Sequence, residues 1–127
     1  CAVHAAPLSP AAHLDIGDLE SSVAVNVTAT GRLIRFVAPL LGAGGTALFF
    51  DDPRGGEKFH AAYGATKAAQ IALARSWQAE SARTGPVVHV LTPRPMATAT
   101  RARFHPGEDR TALARAWDET ARLLATI

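Results

Sequence analysis

One cysteine, one methionine and one tyrosine occur among 127 residues, and lysine appears only at Lys58 and Lys67. A single thiol cannot close an internal disulfide, so the chain is not a disulfide-stapled miniprotein. It has no uninterrupted apolar run long enough for a membrane-spanning helix. Charge of one sign is scarce as well: 13 basic residues against 11 acidic leave a net charge of +2. The arginines are scattered, without the basic stripe and interleaved aromatics of a nucleic-acid footprint, so neither nucleic acid nor membrane is an expected partner. His4, His13, His60, His89 and His105 show no metal-ligand spacing, and the lone cysteine gives them no soft partner; no metal site is expected. What the chain has in quantity is alanine, with 27 residues, and a hydrophobic fraction of 48%. That composition excludes a disordered polypeptide and suits one domain over residues 1–127, not two.

No repeat, low-complexity block or linker divides the sequence. A leading cysteine would suit a mature lipoprotein. Cys1-Ala2-Val3-His4 reads better as the end of a buried strand, in which case the chain starts inside something larger. Asp15 is a candidate N-cap, with Asp18 and Glu20 in the first turn, where the helix dipole favours negative charge. Val23, Val27, Thr30, Ile34, Val37 and Leu41 then follow at helical spacing and mark one apolar stripe. Pro39 should distort the last turn. Gly42, Gly44 and Gly45 follow a helix and precede a strand, so they read as a helix stop; a phosphate loop needs the reverse order.

Thr46–Phe50 has the character of a short buried strand, and residues 51–56 are a loop by composition. A long helix is expected from about Phe59 to Arg83, then a strand over Val87–Leu91. A partly irregular, proline-rich active-site loop should run from Thr92 to Asp109, followed by a helix over Thr111–Ala125. That last helix is expected to turn Leu113, Trp117, Ala121 and Leu124 inward; Trp77 and Trp117 read as packing residues, and His60 as a partly exposed helix residue. The alternation predicts an α/β fold with a parallel sheet.

Tyr63 and Lys67 lie one helical turn apart, so both side chains leave the helix on one face. A free phenol titrates near 10 and is a poor acid–base catalyst at neutral pH. A neighbouring ammonium stabilises the phenolate and brings that value down toward the working range. The pair could then exchange a proton with a carbonyl oxygen. Spacing alone leaves a surface pair as the alternative.

Around this pair the chain resembles the short-chain dehydrogenase/reductase superfamily over nearly its whole length. Ala62-Tyr63-Gly64-Ala65-Thr66-Lys67-Ala68-Ala69 is similar to the family's Tyr-x-x-x-Lys signature. His4-Ala5-Ala6-Pro7 stands in place of the Asn-Asn-Ala-Gly turn after the fourth strand. Val25-Asn26-Val27-Thr28-Ala29-Thr30 resembles the segment with the active-site asparagine, and Ala38-Pro39-Leu40-Leu41 fits the end of its helix. Val90-Leu91-Thr92-Pro93-Arg94-Pro95-Met96-Ala97-Thr98 replaces Pro-Gly and a cofactor-contacting threonine.

The resemblance implies an incomplete Rossmann-like doubly wound sheet, with about three strands and three main helices in this chain. It implies Tyr63 as general acid/base, with Lys67 tuning it and holding the ribose hydroxyls of the nicotinamide cofactor. Asn26 would fix a relay water, and Ala5, Pro93 and Thr98 would lie along the cofactor. The cofactor would be NAD or NADP, with NADP slightly favoured, although the selector region is not in this sequence. A small-molecule substrate, a homo-oligomer built on the two long helices and a cytoplasmic location are also implied.

Departures accompany these matches. Phe50 occupies the place of the usual serine thirteen before the tyrosine, with Asp51 next to it. Pteridine reductases of the superfamily use an aspartate near there, so Asp51 is either a catalytic carboxylate or, like Asp52, a turn residue before Pro53. Ala5 replaces an asparagine and Arg94 a glycine. The Gly-rich first half is not in the sequence, and the strand ending at His4 would lack its neighbour. The expectation is an excerpt of a longer protein or a partner that covers that edge. The function expected is hydride transfer to or from a carbonyl or alcohol, or a pterin-like C=N bond; the alternative is a lapsed enzyme serving as an oligomerising or binding module.

Overall fold

The computed structural model describes residues 3–127. Two strands, β1 (Thr46–Phe50) and β2 (Val87–Leu91), pair in parallel with Thr46 opposite Val87 and Phe50 opposite Leu91. A parallel pair needs a long crossover, and here it is α3 (Ala61–Ser81). Both strands fall where the sequence pattern places them. The expected strand ending at His4 begins on Cys1 and Ala2, outside the described residues. From Val3 to Leu8 the chain is irregular, and Ser9 makes one parallel bridge to His60.

Asp15 caps α1 (Ile16–Ser22), its carboxylate accepting the Asp18 amide at 2.9 Å. The helix does not run on uniformly. Val23–Thr28 is a π-helical segment, and α2 (Ala29–Leu41) resumes beyond it, carrying Pro39 without ending there. Gly42 stops α2 with φ +58°, a conformation glycine adopts without Cβ strain. The six positions of the apolar stripe do not form a dry seam. Thr30 is fully buried, whereas Val23 is exposed.

Alanine-rich α3 is a strong helix former and the spine of the structure. It packs against both strands on one side and against α1, the π segment and α2 on the other. Tyr63, Lys67, Gln70, Ile71, Ala74 and Trp77 are buried along it at helical spacing. Burial of Ile71 alone contributes about 1.5–3 kcal/mol. Trp77 meets Phe49 of β1 edge-on at 6.1 Å, as a packing residue should. The helix starts later than expected because Phe59 has φ +69°, outside helical space, and His60 takes the cap position. His60 is therefore buried, not partly exposed.

The segment after β2 is partly irregular and contains the short α4 (Ala99–Phe104). α5 (Ala116–Leu124) follows a single 3₁₀ turn over Arg110–Ala112. Its inner face is Glu119 and Leu123, while Trp117 is 83% exposed and Leu124 half-exposed. The expected face is thus turned outward. The inner face carries the Glu119 carboxylate, itself buried, into pairing with Arg94 and Arg122.

Candidate active site

The carboxyl ends of β1 and β2, the start of α3 and the segment after β2 enclose a cavity of about 470 Å³. In open parallel sheets this end of the strands is where ligands bind. Tyr63, Lys67, Phe50, Asp51, Asp52, Pro93, Arg94 and Thr98 all line it. Tyr63 and Lys67 therefore face one space, as their spacing requires.

Tyr63 is 4% exposed, its ring packed on Ala5 and on Phe104 of α4 at 5.0 Å between centroids. Its hydroxyl donates to Asp52 Oδ2 at 2.9 Å, and Arg54 Nε donates to Asp52 Oδ1 at 3.1 Å. Burial, then the Asp52 carboxylate, pushes the phenol well above its ordinary value. This reverses the expected tuning. The Lys67 ammonium donates to Gln70 Oε1 at 2.6 Å rather than to the phenol, and its own burial lowers its affinity for the proton. Nor is Asp51 the carboxylate on the phenol. Its amide continues the ladder to Leu91 O at 2.7 Å, and its side chain lies 3.6 Å from Arg75.

The loop that delivers Asp52 rests directly on α3. A Cβ on Gly64 would sit 2.4 Å from the Arg54 carbonyl oxygen, so only glycine allows that approach. The glycine one residue after Tyr63 thus places the carboxylate that meets the phenol.

Asn26 is fully buried in the π segment. Its Oδ1 accepts the His4 amide at 2.8 Å; its Nδ2 donates to the His4 carbonyl at 2.9 Å and to Thr66 Oγ1 at 3.0 Å. The side chain splints the segment after Val3 to α3, as π-bulges at functional sites commonly do. Next to it, Gln70 Nε2 donates to Thr30 Oγ1 at 3.0 Å, so Lys67 is held by a buried polar chain reaching α2. Thr66 lies three residues beyond Tyr63 and Gln70 three beyond Lys67, a helical spacing that is their one signal in the sequence.

On the opposite wall, Thr98 caps α4, accepting the Arg101 amide at 3.2 Å, and Pro93 lines the cavity beside it. Ala5 stands behind the Tyr63 ring rather than on the cavity surface. Arg94 is tied back by Glu119, which accepts its amide at 2.8 Å and its Nε at 2.7 Å. Arg122 donates to both carboxylate oxygens, at 2.5 and 3.0 Å, and with Arg94 holds this carboxyl well below the usual range.

The family model for short chain dehydrogenases matches residues 2–109. The chain belongs to the short chain dehydrogenase family. Solved short chain dehydrogenases superpose closely on it. The oxidoreductase yciK of Escherichia coli has a TM-score of 0.81 and 25% identity over 92% of this chain and 49% of its own. A short chain dehydrogenase from Pseudomonas syringae gives 0.83 and 25% over 98% of this chain and 52% of its own. One from E. coli CFT073, solved with NADPH, gives 0.84 and 26% over 93% and 50%. The chain thus spans about half the length of these short chain dehydrogenases. No curated protein matches it significantly. Among the described residues no helix is long and apolar enough to cross a membrane, and no cluster of three potential metal-binding residues occurs.

Proposed function

We propose that this chain carries the substrate side of an NAD(P)-dependent oxidoreductase. It would interconvert a carbonyl and an alcohol, or reduce a pterin-like C=N bond, on a small molecule. The observation behind this reading is that Tyr63 and Lys67 line one cavity at the carboxyl ends of both strands. The NADPH held by the E. coli CFT073 neighbour supports NADP as the cofactor, with NAD as the other choice.

The donor set fits a nicotinamide nucleotide. Lys67 Nζ has Gln70 as its hydrogen-bond partner among the described residues, and an ammonium has three protons to give. It would hold the ribose hydroxyls, with Thr98 and Pro93 along the nicotinamide end. Arg94 stands where a glycine would give a bare backbone, and its Nε donates to Glu119. The cofactor, when bound, would supply or accept the hydride.

The protein's part is the proton. Tyr63 faces the cavity and is positioned to pass its hydroxyl proton to an oxygen or nitrogen gaining electrons. With Phe50 in place of a serine, the substrate oxygen would rest on Tyr63 without a second hydroxyl donor. Asn26 acts by splinting; its side-chain groups are spent on His4 and Thr66, so any relay water would sit on other atoms of that segment.

Titration of NADH and NADPH against the protein, read by cofactor fluorescence, tests the reading. Saturable binding that Lys67→Ala abolishes is the expected result; binding of neither nucleotide would overturn it. We propose further that the protein forms a homo-oligomer through its long helices. Phe36 and Leu40 of α2 are 70% and 73% exposed, and Leu33 beside them 43%, a solvent-facing apolar row that a second copy would cover. Gel filtration checks this, with Phe36→Glu expected to yield monomers.

A further inference from the structure

The phenol's hydrogen-bond partner is neither the lysine nor the asparagine of the Tyr-x-x-x-Lys arrangement. It is Asp52, whose side chain is 37% exposed and so connects the buried hydroxyl to solvent. Asp52 has one oxygen on Tyr63 and the other on Arg54, and Arg54 is held in turn by Glu57 at 2.8 Å. This ordered chain runs outward from the cavity along the loop that Gly64 admits against α3.

Other ionisable groups around the ring are placed differently. Lys67 donates to Gln70, and Asp51 faces Arg75. His60 lies beyond Phe104, its Nδ1 on the Lys58 carbonyl. Arg101 is held by Glu108 through two nitrogens; His105 lines the cavity from the end of α4. None of these touches the phenol oxygen.

We propose that Asp52 is the residue through which Tyr63 exchanges its catalytic proton with solvent, with Arg54 as the positioning residue that aims the carboxylate. The inference rests on the oxidoreductase reading. In reduction, the Tyr63 O–H bond breaks as its proton passes to the product oxygen or nitrogen. Hydronium from solvent protonates Asp52, leaving water, and that proton crosses the 2.9 Å bond to the phenolate, restoring phenol and carboxylate. In oxidation the steps run in reverse: the carboxylate takes the phenol's proton, the phenolate takes the alcohol's, and Asp52 hands its proton to water as hydronium. The protein returns to its starting charge state in either direction, one solvent proton being consumed per reduction and released per oxidation. Arg54 stays protonated throughout, since a guanidinium is not a proton carrier at any working pH.

Tyr63 is the chain's single tyrosine, so tyrosinate absorbance reads this phenol alone. Asp52→Asn should lower its titration midpoint by a unit or more, roughly as expected when an adjacent carboxylate is removed. An unchanged midpoint would overturn the coupling. With NADPH and 2,3-butanedione as probes, Asp52→Asn should lower kcat about 10–100-fold, the range of general acid–base assistance, with KM nearly constant. Asp52→Glu, or added formate with Asp52→Asn, should recover part of the rate, which a merely structural role would not do. Wild-type kcat in Asp52→Asn would overturn the relay while sparing the oxidoreductase reading. Absence of wild-type NADPH oxidation with carbonyl and C=N probes alike would sink both.

Discussion

The two walls of the cavity are built by opposite means. On the α3 wall, Tyr63, Lys67 and Asn26 are almost wholly out of water and fixed by short hydrogen bonds among Asn26, Thr66, Gln70 and Thr30. On the wall after β2, Arg94 is mostly exposed and is anchored to α5 by the buried Glu119 carboxylate. The first wall sets reacting groups to within a fraction of an ångström. The second is tied to α5 by an ionic knot between residues 25 apart, beside backbone bonds of Pro95 and Ala97 with Ala114. The α3 wall therefore holds Lys67 and Asn26 by buried hydrogen bonds, and only the Asp52–Arg54 pair on the Tyr63 hydroxyl reaches solvent. The covering segment is held by charges, which pH can loosen.

The largest effect expected separates chemistry from scaffold on the first wall. Tyr63→Phe removes the hydroxyl that donates to Asp52 and leaves the ring against Phe104. Turnover should fall by about 10²–10⁴-fold, the usual reach of general acid–base catalysis. NADPH affinity by fluorescence should change little. Full activity in this variant would remove Tyr63 from the proton-transfer step.

Next comes the splint. Asn26→Ala strips partners from the His4 amide and carbonyl and from Thr66 Oγ1. Buried groups left unpaired cost about 1–3 kcal/mol each before water intrudes, so a loss of about 2–4 kcal/mol is expected in urea unfolding. A change under about 1 kcal/mol would mean that the wall does not depend on these bonds.

The sequence exposes the two walls unequally. Asp15, both strands, the Gly42 stop and the Tyr63–Lys67 face are local: a cap, a five-residue apolar run, a positive-φ glycine, a one-turn spacing. Each is fixed by chain neighbours and so can be read along the chain. The Asp52–Tyr63 and Glu119–Arg94 bonds join residues 11 and 25 apart, and their chemistry decides local orientation. Asp51 and Asp52 are indistinguishable as loop residues until Gly64 fixes how closely that loop lies on α3. Pattern reading puts Trp117 inward because it is apolar. A buried carboxylate with two arginines overrides that preference, and nothing within α5 itself announces Arg94 as a partner. Gln70, about one helical turn beyond Lys67, takes a hydrogen bond from the ammonium that the Tyr63–Lys67 spacing by itself does not reveal.

The ionic knot on the second wall should fail in acid before the first wall does. Arg122, and then Arg94, depress the Glu119 carboxyl below its unfolded value of about 4.3. Its contribution is thus complete above that unfolded value and is lost as pH falls toward the lower folded one. Unfolding free energy measured from about pH 6 downward should show this acid limb, and Glu119→Gln should flatten it. An acid limb of the same slope in Glu119→Gln would transfer the acid sensitivity to other carboxylates. Opening of the cavity on the second wall, seen as faster amide exchange in α4 and α5 than in α3, should accompany the loss.

The smallest effect tests how α5 is turned. Trp117 is the larger and more apolar side chain, yet it stands 83% exposed while Leu123 is 6% exposed. Free energy follows area removed from water, not residue size, so Trp117→Ser should alter monomer stability by no more than about 0.5 kcal/mol. Leu123→Ala should cost about 2–4 kcal/mol, because it empties packed space. Were the order reversed, α5 would carry its aromatic face inward, Glu119 would face solvent, and Arg94 would be released toward the cavity. The weak Trp117 response is therefore the check on the second wall as a whole. Glu119 and Leu123 lie four residues apart on one helical face, and the knot can form only when that face is turned inside.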